Sequence, residues 1–369
     1  MNFGIKRLLV KCLFTANVCI VLLCIFSAYS GHISPADFKY LSCMPMTFPI
    51  FLLLTVVAGI VVLFFKPLYA TMQLFCLVIC FQQIKAVIPY NFFCDKPTAE
   101  ERNDYIKVLS YNVQGFATET MDENDSINEI IDYIAASDAD IVCLQEAGME
   151  NHKLAKVKEK LNVYPYHSEL PVGESEKIFN SINCFSRYPI VYINKVDYQS
   201  ESNGSVLYKI LVDGDTVAVI NNHFESNRLT PAEKTTYKNI IKEHDVNTMP
   251  GDSKMIIGKL SNASARRAVQ VDAVAEVIDT LRTKYPLIVC GDFNDPPISY
   301  THNRISENLT DCHTAAGKGP GISYNQRGFF FRIDNIMIND KWDVKYCKVD
   351  NSISKSDHNP IFAYLQRRK

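Results

Sequence analysis

Leu287-Ile288-Val289-Cys290-Gly291-Asp292-Phe293-Asn294-Asp295-Pro296 is the stretch on which the fold turns. Leu287 to Cys290 reads as a strand, and it runs directly into the carboxylate of Asp292 and the amide of Asn294. Alone, Asp292 to Pro297 is no more than an Asx turn. The same ending recurs at Leu109-Ser110-Tyr111-Asn112, at Val142-Cys143-Leu144-Gln145-Glu146, at Val219-Ile220-Asn221-Asn222-His223 and at Ser356-Asp357-His358-Asn359-Pro360. Each has an ordinary reading by itself: Asn112 before Gly115 as a turn former, Glu146 as a solvated strand end, His223 as a core histidine, Asp357-His358 as a loop pair. If the sheets converge, all five bring their polar ends to one edge.

Outward from these pieces, short β-branched runs alternate with helical stretches. Lys107 to Asn112, Ile141 to Gln145, Ile182 to Ser186, Leu207 to Val212, Thr216 to Asn222, Ile333 to Ile338 and Ile361 to Tyr364 read as strands. Ile127 to Ser137, Lys153 to Leu161, Thr230 to Val246 and Ala263 to Thr283 read as helices, the last two joined by a Pro250-Gly251-Asp252 turn. Asp213-Gly214-Asp215 marks a hairpin. Around ten strands predict two packed sheets.

Before this polar region lies an apolar one. Leu8 to Tyr29 and Phe48 to Phe65 are each long enough to span a bilayer as helices, and Leu68 to Phe81 is a weaker third span. The basic start at Lys6, Arg7 and Lys11 also suits a cleaved signal peptide, but two further apolar segments favour retained spans. The chain divides into a membrane anchor at 1–92 with about three transmembrane helices, a linker at 93–104 and a polar domain at 105–369. Basic residues before the first span predict a cytoplasmic N-terminus. Three crossings then put the polar domain outside the cytoplasm, at a plasma or inner membrane; two would leave it inside.

Charge divides at the same place. Residues 1–92 carry six basic groups against Asp37 alone, whereas the remainder carries 32 basic against 39 acidic, for a whole-chain net of -2. Of the 12 cysteines, none shows a zinc framework spacing, and Cys143, Cys184 and Cys290 read as small buried hydrophobes.

The strand endings, with Ser186-Arg187-Tyr188-Pro189-Ile190 and Arg332-Ile333-Asp334, resemble the endonuclease/exonuclease/phosphatase superfamily over about residues 105 to 366. The chain looks like a membrane-anchored, bacterial-type member. The resemblance implies an α/β fold, a four-layer α/β/β/α sandwich of two packed mixed sheets, here preceded by the N-terminal transmembrane helical region. It implies Asn112, Glu146 and Asp357 as ligands of Mg²⁺ or Mn²⁺, His223 as a phosphate stabiliser, Asp292 and Asn294 as handlers of water and phosphate, and Asp334 as the group orienting His358. Asn335 departs from a Tyr common in relatives. Oxygen donors suit a hard cation, and a polarised imidazole with a carboxylate base suits hydrolysis of a phosphate ester.

Fold and metal leave the substrate open. A nuclease needs a basic surface, against which the acidic domain argues mildly. The alternative is a lipid or small-molecule phosphatase or phosphodiesterase at the membrane surface, favoured by tethering. A remote third reading is a non-catalytic metal-binding receptor. Arg266 and Arg267 in the helical insertion are candidates for phosphate contact or for a solvated face.

Overall fold

The computed structural model describes residues 3–117, 126–148, 157–174, 180–230, 232–235, 250–326 and 329–368. Of the helix expected at Lys153 to Leu161, residues 157–160 are described and helical, whereas the one expected at Thr230 to Val246 lies largely outside the described residues. The strands are β1 (Ile106–Asn112), β2 (Ile141–Gln145), β3 (Tyr166–Pro171), β4 (Ser181–Ser186), β5 (Ile190–Lys195), β6 (Gly204–Val212), β7 (Asp215–His223) and β8 (Leu287–Asp292), followed by β9 (Thr310–Asp311), β10 (Tyr324–Gln326), β11 (Phe329–Phe331), β12 (Asp334–Ile338), β13 (Trp342–Val349) and β14 (Ile361–Arg367). One mixed sheet has the order β13-β14-β1-β2-β4-β3 and the other β5-β6-β7-β8-β12-β9.

Strand periodicity sorts the apolar side chains into layers. Val108, Cys143, Val219, Ile288 and Cys290 point between the sheets and share one core. Their neighbours Leu109, Tyr111 and Val142 face outward under helix Ser126–Ala136, with Ile130, Ile131 and Ile134. On the far side Ala218, Ile220, Leu287 and Val289 meet Val271, Val274 and Ile278 of helix Pro250–Leu281. Central strands are therefore apolar on both faces, and each fully buried Val, Leu or Ile removes surface worth about 1.5–3 kcal/mol from water. The result is the four-layer sandwich expected.

One local reading changes. Pro250-Gly251-Asp252 is the first turn of a continuous 32-residue helix, because proline is well placed at a helix start, where its missing N–H has no intrahelical acceptor. The Asp213-Gly214 turn, in contrast, is where expected, with Val212 paired to Asp215.

Two N-terminal helices are long and apolar enough to cross a membrane, within Val10–His32 and Lys39–Phe65, and the third apolar segment is a pair, Pro67–Ile79 and Phe81–Val87, bent by 61°. Their domain-side ends are bound into the sandwich. Lys39 Nζ donates to Asn262 Oδ1 at 2.9 Å, Asn91 Nδ2 donates to the carbonyls of Thr314 and Gly317, and Gly319 N donates to Pro89 O. Gly31 lies so close to Ile298 that a Cβ would sit 1.9 Å from its carbonyl oxygen. Contact with the sandwich thus comes from Gly31 and Lys39 as well as from Pro89 and Asn91.

Candidate active site

Strand register assembles the polar ends. β7 and β8 run parallel and put His223 beside Asp292; β12 runs antiparallel to β8 and puts its first residue, Asp334, beside Asp292 as well. In the other sheet β1 and β2 run parallel with Asn112 opposite Gln145, one residue before Glu146. The sheets are tied at this edge by Gln145 Nε2, which donates to Asn221 Oδ1 at 2.6 Å. Gly291 permits the close packing: its φ is +128°, and a Cβ would fall 1.9 Å from the carbonyl oxygen of Asn222.

Asp292 is the centre. It is fully buried and accepts from Asn294 N at 2.8 Å, from Asn294 Nδ2 at 3.1 Å and from Asn112 Nδ2 at 3.1 Å. The Nε2 atoms of His223 and His358 each lie 3.7 Å from its Oδ2. Burial raises its pKa to about 6, against the opposing pull of His358. His358 Nδ1 is 2.8 Å from Asp334 Oδ2. Burial alone would push that imidazole down, but Asp334 and Asp292 hold it well above its usual value. Burial dominates at His223, which is pushed below the ordinary histidine value. One edge thus holds two imidazoles, one raised and one lowered in basicity, on either side of the Asp292 carboxylate.

Glu146 Oε1 accepts from Asn112 Nδ2 at 3.0 Å and lies 3.4 Å from His223 Nε2; burial raises its pKa. Both Glu146 and Asn294 take left-handed backbone, with φ near +50°, a conformation that costs non-glycine residues about 1–2 kcal/mol. Asp357 closes the opposite rim, with its N–H on Gln114 Oε1. Asn112, expected as a metal ligand, here accepts from Gln114 N with its oxygen and donates to Glu146 and Asp292 with its amide nitrogen.

The donor set fits a hard cation. Glu146, Asp292 and Asp357 bring carboxylates to one cavity, while His223 Nε2 and Asp334 Oδ1 are buried without a hydrogen-bond partner. Such orphaned atoms mark a place where a further polar group completes the bonding. Asp292, Asp334 and His358 also form a tight three-residue cluster, but the short Asp334–His358 bond uses that pair internally.

Several contributors carry no recognisable sequence signal. Tyr324 packs its ring 5.0 Å from that of His358. Ser323 Oγ accepts from the N–H groups of Ile333 and Asp334 and fixes the start of β12. Arg267, a candidate for phosphate contact, is buried and committed to Glu225 O, Ser264 and Asp295. Arg266 is half-exposed and paired with Glu225. The cavity of 210 Å³ is also lined by Ser42, Cys43 and Met46, between the two N-terminal apolar helices.

The sequence profile described as the Endonuclease/Exonuclease/phosphatase family matches residues 109–358. A second profile, described as a domain of unknown function, matches residues 10–87. Protein angel homolog 2 of Mus musculus is 23% identical over 257 residues, which is 63% of this chain and 43% of that relative, so the chain spans less than half of the relative's length. Among solved structures, the human Nocturnin catalytic domain with bound sulfate anion aligns with a TM-score of 0.50 at 15% identity, over 76% of this chain and 99% of that one. D. rerio TDP2 complexed with single strand DNA product gives 0.50 at 14%, over 71% and 99%. These likenesses concern the fold.

Proposed function

Because the chain belongs to the endonuclease/exonuclease/phosphatase family, we propose that it is a divalent-metal-dependent hydrolase of phosphate esters. The observation carrying this reading is the convergence of the two Nε2 atoms of His223 and His358 on the buried Asp292, each at 3.7 Å. Asp292 accepts the proton of the attacking water, and the two amide donors of Asn294 orient its carboxylate. Charged His358, its ring fixed by Asp334, and neutral His223 donate to phosphate oxygens as negative charge builds. Glu146 and Asp357, beside Asn112, would hold Mg²⁺ or Mn²⁺, which when bound would supply Lewis-acid charge. The full chain in lipid nanodiscs should hydrolyse bis(p-nitrophenyl) phosphate with Mg²⁺, lose that activity in EDTA and regain it with Mg²⁺ or Mn²⁺. Undiminished turnover in EDTA would remove the metal from the reading, and no turnover of any phosphate ester would remove the reading itself.

We also infer an integral membrane protein with three crossings. The segment between the first two helices touches the sandwich through Lys39 and Cys43, with Cys43 Sγ 3.5 Å from Ser261 Oγ. That segment and the domain must therefore share one side of the bilayer. Two crossings would separate them, whereas a third through the bent pair Pro67–Ile79 and Phe81–Val87 reunites them. With Lys6, Arg7 and Lys11 cytoplasmic, that side is extracytoplasmic. A reporter fused after Lys369 that folds only outside the cytoplasm should be active. Activity only of a cytoplasm-requiring reporter would reverse the orientation.

A further inference from the structure

We propose that the loop between the first two apolar helices completes the active site and opens it through an apolar groove onto the membrane boundary, so that the substrate is a phosphate ester carried on a lipid. This rests on the hydrolase reading above and adds the substrate class.

Ser42, Cys43 and Met46 line the same cavity as Asp292 and His358. Met46, Pro296 and Phe331 are shared between that cavity and a second groove, which continues past Pro297 and Phe330 to Pro49 and Val87. Pro49 lies in the first turn of the charge-free helix Phe48–Phe65, and Val87 is the last residue of helix Phe81–Val87. The groove therefore leads from the catalytic carboxylate to the place where the apolar helices leave the domain. Phe48, Cys24, Ala28 and Ile298 pack together beside this junction, which holds the loop against the sandwich.

The chemistry of the groove selects its occupant. Its lining is proline, aliphatic and aromatic apart from Arg332, whose guanidinium is buried on Asp311 at 2.8 Å. Phe330 is nonetheless 49% exposed. A nucleic acid draws its affinity from cations along its path; Arg228, Lys234 and Arg267 line the cavity itself, but among the described residues the groove beyond it has no cation other than the buried Arg332. A soluble phosphate ester has no apolar part to cover Phe330. A phospholipid meets both ends: its phosphate reaches Asp292 and His358, and its acyl portion lies along Met46, Phe331 and Phe330 without leaving the membrane boundary. In the reaction, the water oxygen bonds to phosphorus, the bond from phosphorus to the leaving oxygen breaks, and the departing alcohol carries off a proton. The membrane holds such a substrate at high local concentration beside the anchored domain.

The test uses the full chain in nanodiscs of phosphatidylcholine, phosphatidylethanolamine and phosphatidylglycerol. With Mg²⁺, phospholipid should turn over at least tenfold faster than the matching deacylated glycerophosphodiesters and than single-stranded DNA at equal phosphate concentration. Phe330→Asp should lower the ratio of phospholipid to bis(p-nitrophenyl) phosphate turnover about tenfold through KM, and Phe330→Leu should restore it. A deacylated diester or DNA turned over as fast as lipid, or an unchanged ratio in Phe330→Asp, would overturn the proposal. Loss of bis(p-nitrophenyl) phosphate turnover in the unaltered protein would instead strike the hydrolase reading. A second readout needs no activity: phosphatidylcholine with a diazirine in one acyl chain should label peptides containing Met46 and Phe330 on irradiation. Labelling confined to helices Phe3–Tyr29 and Phe48–Phe65, with Met46 and Phe330 unlabelled, would overturn the groove.

Discussion

Asp292→Asn is expected to slow phosphate-ester hydrolysis by about a hundred- to ten-thousandfold, the combined scale of a lost general base and a lost partner for two imidazoles. The carboxylate sits at the end of a fully buried strand, and its raised pKa of about 6 leaves it ionised at neutral pH yet basic enough to take a proton from water. A carboxamide of the same shape has no such proton affinity. Its NH₂ would also face the amide donors of Asn112 and Asn294, which now point at Oδ2. The measurement is kcat with saturating Mg²⁺, read beside a thermal unfolding curve. Turnover within tenfold of the unaltered protein, with folding intact, would remove Asp292 from proton transfer. A folded, Mg²⁺-binding but equally inactive unaltered protein would favour the metal-binding receptor.

The strand endings were legible because the chemistry sits where parallel strands stop. The apolar run Leu287 to Cys290 announces a buried strand, and the polar residues after it fall at the sheet edge. Their mutual positions were not legible: that Asp334 lies opposite Asp292 depends on antiparallel register, which no local pattern encodes. Asn112 illustrates the same limit, since an amide can offer oxygen or nitrogen, and only Gln114 and Glu146 decide which way it turns. Cys43 and Met46 carry no local signal for the site; only tertiary packing brings them to the candidate cavity. Pro250 misleads for a different reason, as proline suits both a turn and the first turn of a helix.

Asp311→Asn should destabilise the protein by about 3–5 kcal/mol, the scale of a buried ion pair with one partner removed. Arg332 is fully buried, with Nη2 at 2.8 Å from Asp311 Oδ2 and 3.1 Å from Ala86 O, and with Nη1 on Asn335 Oδ1. Asn335, which departs from the family pattern, is thus this arginine's second anchor. Asp311 also accepts from His313 N and Thr314 N at the start of helix Cys312–Ala316. Burial would raise its carboxyl, but Arg332 and His302 together hold it well below the usual range. A depressed folded-state pKa gives stability that is present above the ordinary carboxylate value near 4 and is lost as pH falls. In Asp311→Asn the guanidinium keeps its charge and loses its counter-ion, so the cost exceeds that of the hydrogen bond alone. Arg332 touches the anchor at Ala86 and stands two residues before Asp334, so the loosening should reach both. Denaturant unfolding of the single variants and of Asp311→Leu with Arg332→Met measures this. The double variant should cost less than the singles summed, and a single Asp311→Asn cost below about 1 kcal/mol would mean the pair is solvated rather than sealed between anchor and sheet.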